Sequence, residues 1–256
     1  MELKVIYYVH GTTVDNVSGK CSGWKQAELT DLGKERAIKL GETQKDINFD
    51  VIFTSDLMRA IDSANLAFPN IKHIQDERLR ECNYGDLDGA DKSLVIYEEH
   101  IYEPFPNGES LKDVEKRVSE FIEYLKENYK DKKVGIIAHR APQLAFEVLT
   151  KNISWEEANK NDWRKTKSWQ PGWEYTIKYE KGEWKMEDAN DISVIEYIYQ
   201  LNVSKLIKDN KHKNKELVTE VKKIIRRKEK RLEKIYASKG WWNNELWKLY
   251  LKWWRV

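Results

Sequence analysis

Three residues stand just beyond runs that read as buried strands, and their types belong to phosphoryl chemistry. His10 follows LKVIYYV (Leu3 to Val9), Arg59 lies in TSDLMRA after DVIFT (Asp50 to Thr54), and His139 follows KVGIIA (Lys133 to Ala138). An imidazole can attack phosphorus, while a guanidinium or a helix N-terminus binds phosphoryl oxygens. A crevice holding all three would therefore suit a phosphoryl group. Taken singly, each has a plainer reading: a polar loop histidine, or a solvated charge on a helix face. His73, His100 and His212 have no comparable placement and read as surface or packing residues.

The elements that would position these residues follow from hydrophobic patterning. The three runs lack polar alternation, as strands buried on both faces do. Leu111, Val114, Val118, Phe121, Leu125 and Tyr129 keep the three-to-four spacing of an amphipathic helix. A second helix is expected from Thr30 past Leu40. A third is expected from Ser55 or Asp56, either of which could cap it, and Pro142 marks where a fourth could begin. WEYTIKYE and the following GEW read as a hairpin turning at Lys181 and Gly182. Strands alternating with helices predict an α/β fold, a three-layer α/β/α sandwich around a mainly parallel sheet. In such sheets ligands bind outside the carboxyl ends of the strands.

The 256 residues carry 45 Lys+Arg against 43 Asp+Glu, a formal net charge of +2. That average conceals a division. From Lys205 onward there are 17 basic and 6 acidic residues, which leaves 28 against 37 in the rest. Residues 1–190 hold eleven of the twelve glycines and all five prolines. The expectation is a domain over 1–190 followed by a basic, Trp-rich helical extension over 191–256. Five of the eleven tryptophans lie in WWNNELWKLYLKWWRV. Self-packing or homo-oligomerisation is the first reading of that segment, peripheral membrane contact the second, and nucleic acid the last. No apolar run approaches the roughly 18 residues of a membrane span, and the N-terminus lacks secretory features. Cys21 and Cys82 cannot form a disulfide framework. A cytoplasmic protein is the expectation.

Several ordered blocks within residues 3–190 resemble the histidine phosphatase superfamily in its phosphoglycerate mutase-like branch. HGTTVDN is similar to the nucleophile loop, GWKQAELTDLG to a GWxDxxLTxxG segment, and FTSDLMRAIDSA to the block bearing a phosphate-clamping arginine. RLRECNYGDLDG resembles the acid-carrying segment, and FPNGES and IIAHR complete the set. The resemblance implies His10 as nucleophile, Glu81 as proton donor, Arg59 as phosphate clamp and His139 in the second-histidine role. It implies phosphate contacts at Thr13 and Asn16, a small phosphorylated substrate, and neither metal nor cofactor.

The departures are as specific. The arginine expected before the nucleophile is Val9, a following glutamate is Thr12, and the aspartate of the GW segment is Gln26. Arg140 and Ala141 stand where small residues often follow the second histidine. A divergent branch also lacks the first arginine and carries segments similar to RLRECNYG and WQPGWEY. Arg140 has two open readings here, a guanidinium turned into the pocket to replace the missing one, or a residue facing solvent or an acidic surface. Only about 26 positions separate Glu81 from Gly108, which suits the shorter phosphatases rather than mutases with a long insertion there. The expected activity is hydrolysis of a phosphomonoester through a phosphohistidine. The rival is an inactive phosphate-binding interaction protein.

Overall fold

The computed structural model describes residues 2–165, 172–180 and 183–191. Among the described residues six strands form one sheet: β1 (Glu2–Val9), β2 (Val51–Thr54), β3 (His73–Gln75), β4 (Lys133–Ala138), β5 (Trp173–Glu180) and β6 (Glu183–Asp191). Their order is β3-β2-β4-β1-β5-β6. The first four run parallel, while β5 is antiparallel to β1 and β6 to β5. The helices are α1 (Val14–Val17), α2 (Asp31–Thr43), α3 (Met58–Ala67), α4 (Leu111–Asn128), α5 (Arg140–Lys151) and α6 (Trp155–Lys160).

The unbroken apolar runs are explained by burial on both faces of the sheet. Val5, Tyr7, Val51, Phe53, Val134 and Ile136 join one cluster with Val114, Val118 and Phe121 of α4 and Leu144 and Phe146 of α5. Their neighbours Ile6, Tyr8, Ile52 and Ile137 join the opposite cluster with Ala64 and Ala67 of α3 and Leu40 of α2. Each such side chain removed from water contributes about 1.5–3 kcal/mol. The result is the expected three-layer sandwich.

Local chemistry moved several boundaries. Thr30 caps α2, its Oγ1 accepting from Gly33 N–H at 3.0 Å. Neither Ser55 nor Asp56 caps α3, which begins at Met58 with Leu57 at the cap position and no side-chain bond from it. Ser55 is engaged by His139 and Asp56 by Arg80 (Nε to Oδ1, 2.7 Å). Gln26 Oε1 accepts Met58 N–H instead, at 2.9 Å. α5 begins at Arg140, two residues before Pro142, which still sits in the first turn where a backbone N–H has no partner within the helix. β3, with three residues, is too short for a periodicity signal. Lys181 and Gly182, Trp169 to Pro171 and the extension beyond Asp191 lie outside the described residues. Among the described residues no helix is long and apolar enough to cross a membrane.

Candidate active site

The register of one strand pair sets up the site. β1 and β4 are parallel neighbours with Val9 opposite Ala138, so His10 and His139 leave the sheet side by side. Their ring centroids are 5.1 Å apart. The chain leaves β1 toward α2 on one face and leaves β4 toward α5 on the other. Adjacent parallel strands whose connections depart to opposite faces leave a crevice at their carboxyl ends.

His10 is fixed by its own loop. His10 N–H donates to Ala138 O at 3.0 Å, and Nδ1 lies 2.7 Å from Gly11 O. With Nδ1–H donating to that carbonyl, the lone pair is left on Nε2. Burial, aided by the Arg59 charge, lowers the His10 pKa to about 3, so the ring is neutral at pH 7. Gly11 N–H donates to Ser63 Oγ at 2.9 Å, and that hydroxyl donates to Arg59 O at 2.6 Å. The loop also presses against α2: a Cβ on Gly11 would meet Gly33 O at 2.5 Å, and one on Gly33 would meet Thr12 O at 2.1 Å. Two residues without side chains let loop and helix touch backbone to backbone.

Arg59 is 2% exposed and is held by carbonyls, Nη1 donating to Lys25 O (2.9 Å) and Nη2 to Gly23 O (2.7 Å). Gly23 adopts φ +52°, where a Cβ would strike the Asp88 carboxylate, so a residue without a side chain is required there. Burial lowers the Arg59 pKa, opposed first by Glu81. His139 is fully buried. Its Nε2 lies 2.6 Å from Ser55 Oγ. Tyr7 Oη donates to its carbonyl (2.9 Å) and accepts from its N–H (3.2 Å). Nδ1 of His139 is buried without a hydrogen-bond partner. Burial, then Arg59 and His10, hold its pKa well below the usual value.

Glu81 reaches the N-terminus of α5. Its Oε1 accepts from Cys82 N–H and Ala141 N–H, both at 2.9 Å, and its Oε2 from Arg140 N–H at 3.2 Å. Tyr97 Oη donates to Oε1 at 3.4 Å. The Glu81 carbonyl accepts from Trp24 Nε1 (2.7 Å) and Arg117 Nη2 (3.0 Å). Arg117 also bonds the carbonyls of Arg78 and Arg80 and the Glu109 carboxylate. Glu109 in turn accepts Asn83 N–H at 2.9 Å. The NGES turn is thus a clamp on the segment that carries Glu81.

These side chains border a cavity of about 290 Å³. His10, Arg59, Glu81 and Arg140 line it, and so do Asn16 and Asp162. Thr13 does not line the cavity: it is fully buried and caps α1, accepting Asn16 N–H at 3.1 Å, while Asn16 Oδ1 accepts Thr13 N–H. His139 is fully buried beside His10 and does not line the cavity. The outer wall carries Lys20, Lys92, Arg164 and Lys165. Six cations thus face two carboxylates, a composition suited to an anion. Among the described residues, no cluster of three or more His, Cys, Asp or Glu side chains is placed to hold a metal ion.

Comparison with known proteins decides the family. The model of the histidine phosphatase superfamily, branch 1, matches residues 7–192. The chain belongs to that superfamily. It is similar to a 2,3-bisphosphoglycerate-dependent phosphoglycerate mutase of Allorhizobium ampelinum, 33% identical over 165 residues that cover 56% of this chain and 78% of the relative. It is also similar to the uncharacterised phosphatase PhoE of Bacillus subtilis, 28% identical over 185 residues covering 71% and 91%. Among solved structures, Bacillus stearothermophilus YhfR shares the fold with TM-score 0.63 and 23% identity, covering 75% of this chain and 98% of that one. Relatives of the superfamily thus bear both mutase and phosphatase names.

Within this histidine phosphatase domain each departure from the expected motif has a structural role. Val9 packs against the larger core cluster. Thr12 Oγ1 accepts from Arg36 Nη1 at 2.9 Å, and Gln26 starts α3. The Arg140 guanidinium is not directed to solvent. Its Nε and Nη2 bond Asp162 Oδ2 at 2.7 and 2.5 Å, and its carbon lies 3.9 Å from the Tyr97 ring centroid. Burial would lower its pKa, but Tyr97 and Asp162 outweigh that and raise it. Ser55 was expected as a helix cap and instead meets His139, while Tyr97, Arg117 and Asp162 gave no sequence signal, because each acts through a partner distant in sequence.

Proposed function

We propose that this histidine phosphatase domain hydrolyses a small phosphomonoester, without a metal ion, through a phosphohistidine on His10. The observation that supports this best is a neutral imidazole, tied through Nδ1 to Gly11 O, in one cavity with Arg59 and Glu81. His10 Nε2 attacks phosphorus, and the ester oxygen leaves with a proton from the Glu81 carboxyl group. Water then attacks the phosphohistidine, giving a proton back to Glu81 and releasing phosphate. Among the described residues the other carboxylate of the cavity, Asp162, is held in an ion pair with Arg140, which supports Glu81 as the group that transfers the proton. Arg59 and the Asn16 side chain stabilise the phosphoryl oxygens. His139, its ring centroid 5.1 Å from that of His10, backs the nucleophile, with Ser55 Oγ at its Nε2.

Hydrolysis is favoured over mutase action because residues 82–107 are spent on a compact cover. Three short 3₁₀ turns place Tyr97, Ile101 and Phe105 in the core there. The test is hydrolysis of an aryl phosphate by the full chain in the presence of a chelator, beside His10→Ala. Turnover and acid-labile phosphorylation of the wild type, both absent from the variant, are expected. Absence of turnover, with phosphate bound equally by both proteins, would favour the silent phosphate-binding reading.

A further inference from the structure

The cavity holds a buried ion pair that the steps above leave unused. Arg140 is the first residue of α5, and its backbone N–H faces Glu81. Its side chain is 14% exposed and borders the same cavity as His10 and Arg59. Asp162 is buried, and both of its oxygens are committed: Oδ2 to Nε and Nη2 of Arg140, Oδ1 to Arg164 N–H at 2.9 Å. Tyr97 lies under the guanidinium, and its hydroxyl meets Tyr84 at 2.8 Å and Glu81 at 3.4 Å. Two of the three guanidinium nitrogens are thereby fixed, and Nη1 has no hydrogen-bond partner among the described residues.

We propose that Arg140, aimed by Asp162 and Tyr97, is the second guanidinium that grips the phosphoryl group bound at His10. This rests on the phosphohistidine reading above. A buried ion pair is a poor device for stability alone, since apolar replacements are often neutral or better; its place in a cavity wall points to a ligand. Charge in the reaction spreads over three equatorial oxygens, which donors on one side cannot all reach. Arg59 approaches from α3, tied to the Gly23 and Lys25 carbonyls, and Arg140 approaches from α5. Val9, beside the nucleophile, is packed in the core and offers no donor. Arg140 touches substrate in this scheme, whereas Asp162 and Tyr97 are positioning residues that act through it.

The experiment compares Arg140→Ala, Asp162→Asn and the double variant Arg140→Ala/Asp162→Ala in the full chain. It reads aryl phosphate turnover, inorganic phosphate binding and rescue by added guanidinium. Arg140→Ala is expected to lower kcat/KM by about a hundredfold or more and to weaken phosphate binding, with guanidinium restoring part of both. Asp162→Asn should cost about tenfold alone and nothing further once Arg140 is gone, as expected for residues acting in series. Should Arg140→Ala unfold because Asp162 is left unpaired, the double variant carries the test. Activity within threefold of wild type, or a loss that guanidinium leaves untouched, overturns the proposal. A wild type that binds phosphate without turnover defeats the phosphatase reading instead; weaker phosphate binding by Arg140→Ala then still supports Arg140, and unchanged binding overturns it.

Discussion

The inner and outer walls of the cavity are built on opposite principles. At the inner wall every group is held by several partners: His10 by Ala138 and Gly11 carbonyls, Arg59 by Gly23 and Lys25, Glu81 by three backbone N–H groups. At the outer wall Lys20, Lys92 and Arg164 are exposed and form no ion pair among the described residues, and Lys165 meets only the exposed Glu98 at 3.0 Å. Rigid placement is what a reaction needs, because orientation settled before binding lowers the barrier. Exposed cations attract an anion at long range. The contrast is between fixed groups at the inner wall and exposed charges at the outer one, and the proposed chemistry would use them differently.

The sharpest test of that division is Glu81→Gln. It is expected to lower kcat by about 10²–10⁴-fold on an alkyl phosphate, and by much less on an aryl phosphate whose leaving group needs no proton. An equal loss on both would mean that Glu81 only shapes the wall. Gly33→Ala comes next. Its new Cβ would press on Thr12 O, so a loss of about 1–3 kcal/mol in denaturant unfolding is expected, together with reduced turnover from a displaced His10 loop. Full turnover with normal stability would show that the contact with α2 does not hold the His10 loop.

The third test is acid titration. The folded-state pKa of His10 is lowered to about 3, and that of His139 is lowered as well. Below the unfolded value of about 6.5 the unfolded chain takes up protons that the native sites refuse. Stability should therefore fall as pH drops from about 6.5 toward 3, and His10→Ala should flatten that slope in a series of melting curves. The smallest effect is expected at the outer wall. Lys92→Ala should leave Tm unchanged and alter KM for an aryl phosphate by no more than about threefold, an effect that added salt removes. A hundredfold loss there would erase the distinction between the walls.

How much of this was legible beforehand depended on the range of each interaction. The strands ending at Val9, Thr54 and Ala138 could be read from unbroken apolar runs, which placed His10, Arg59 and His139 in one crevice before any family likeness entered. Motif order added Glu81. The plain rule that Ser or Asp caps a helix failed at α3, because Ser55 serves His139, 84 residues away, and Asp56 serves Arg80, 24 away. Thr13, expected at the phosphate, is spent on capping α1. Asp162 was invisible for the same reason, since a carboxylate acquires meaning only from the arginine folded against it.

The β1–β4 register also limits how such a chain can change over generations. Both histidines are the first residues beyond a paired ladder, and neighbouring strand residues point to opposite faces. One residue gained or lost within Lys133–Ala138 would either turn the strand residues before it to the opposite side of the sheet or swing His139 away from its neighbour. Insertions in the segments beyond the strands leave that alignment untouched. Descendants are thus free to remodel the rim, while the ladder beneath the two imidazoles must keep its count.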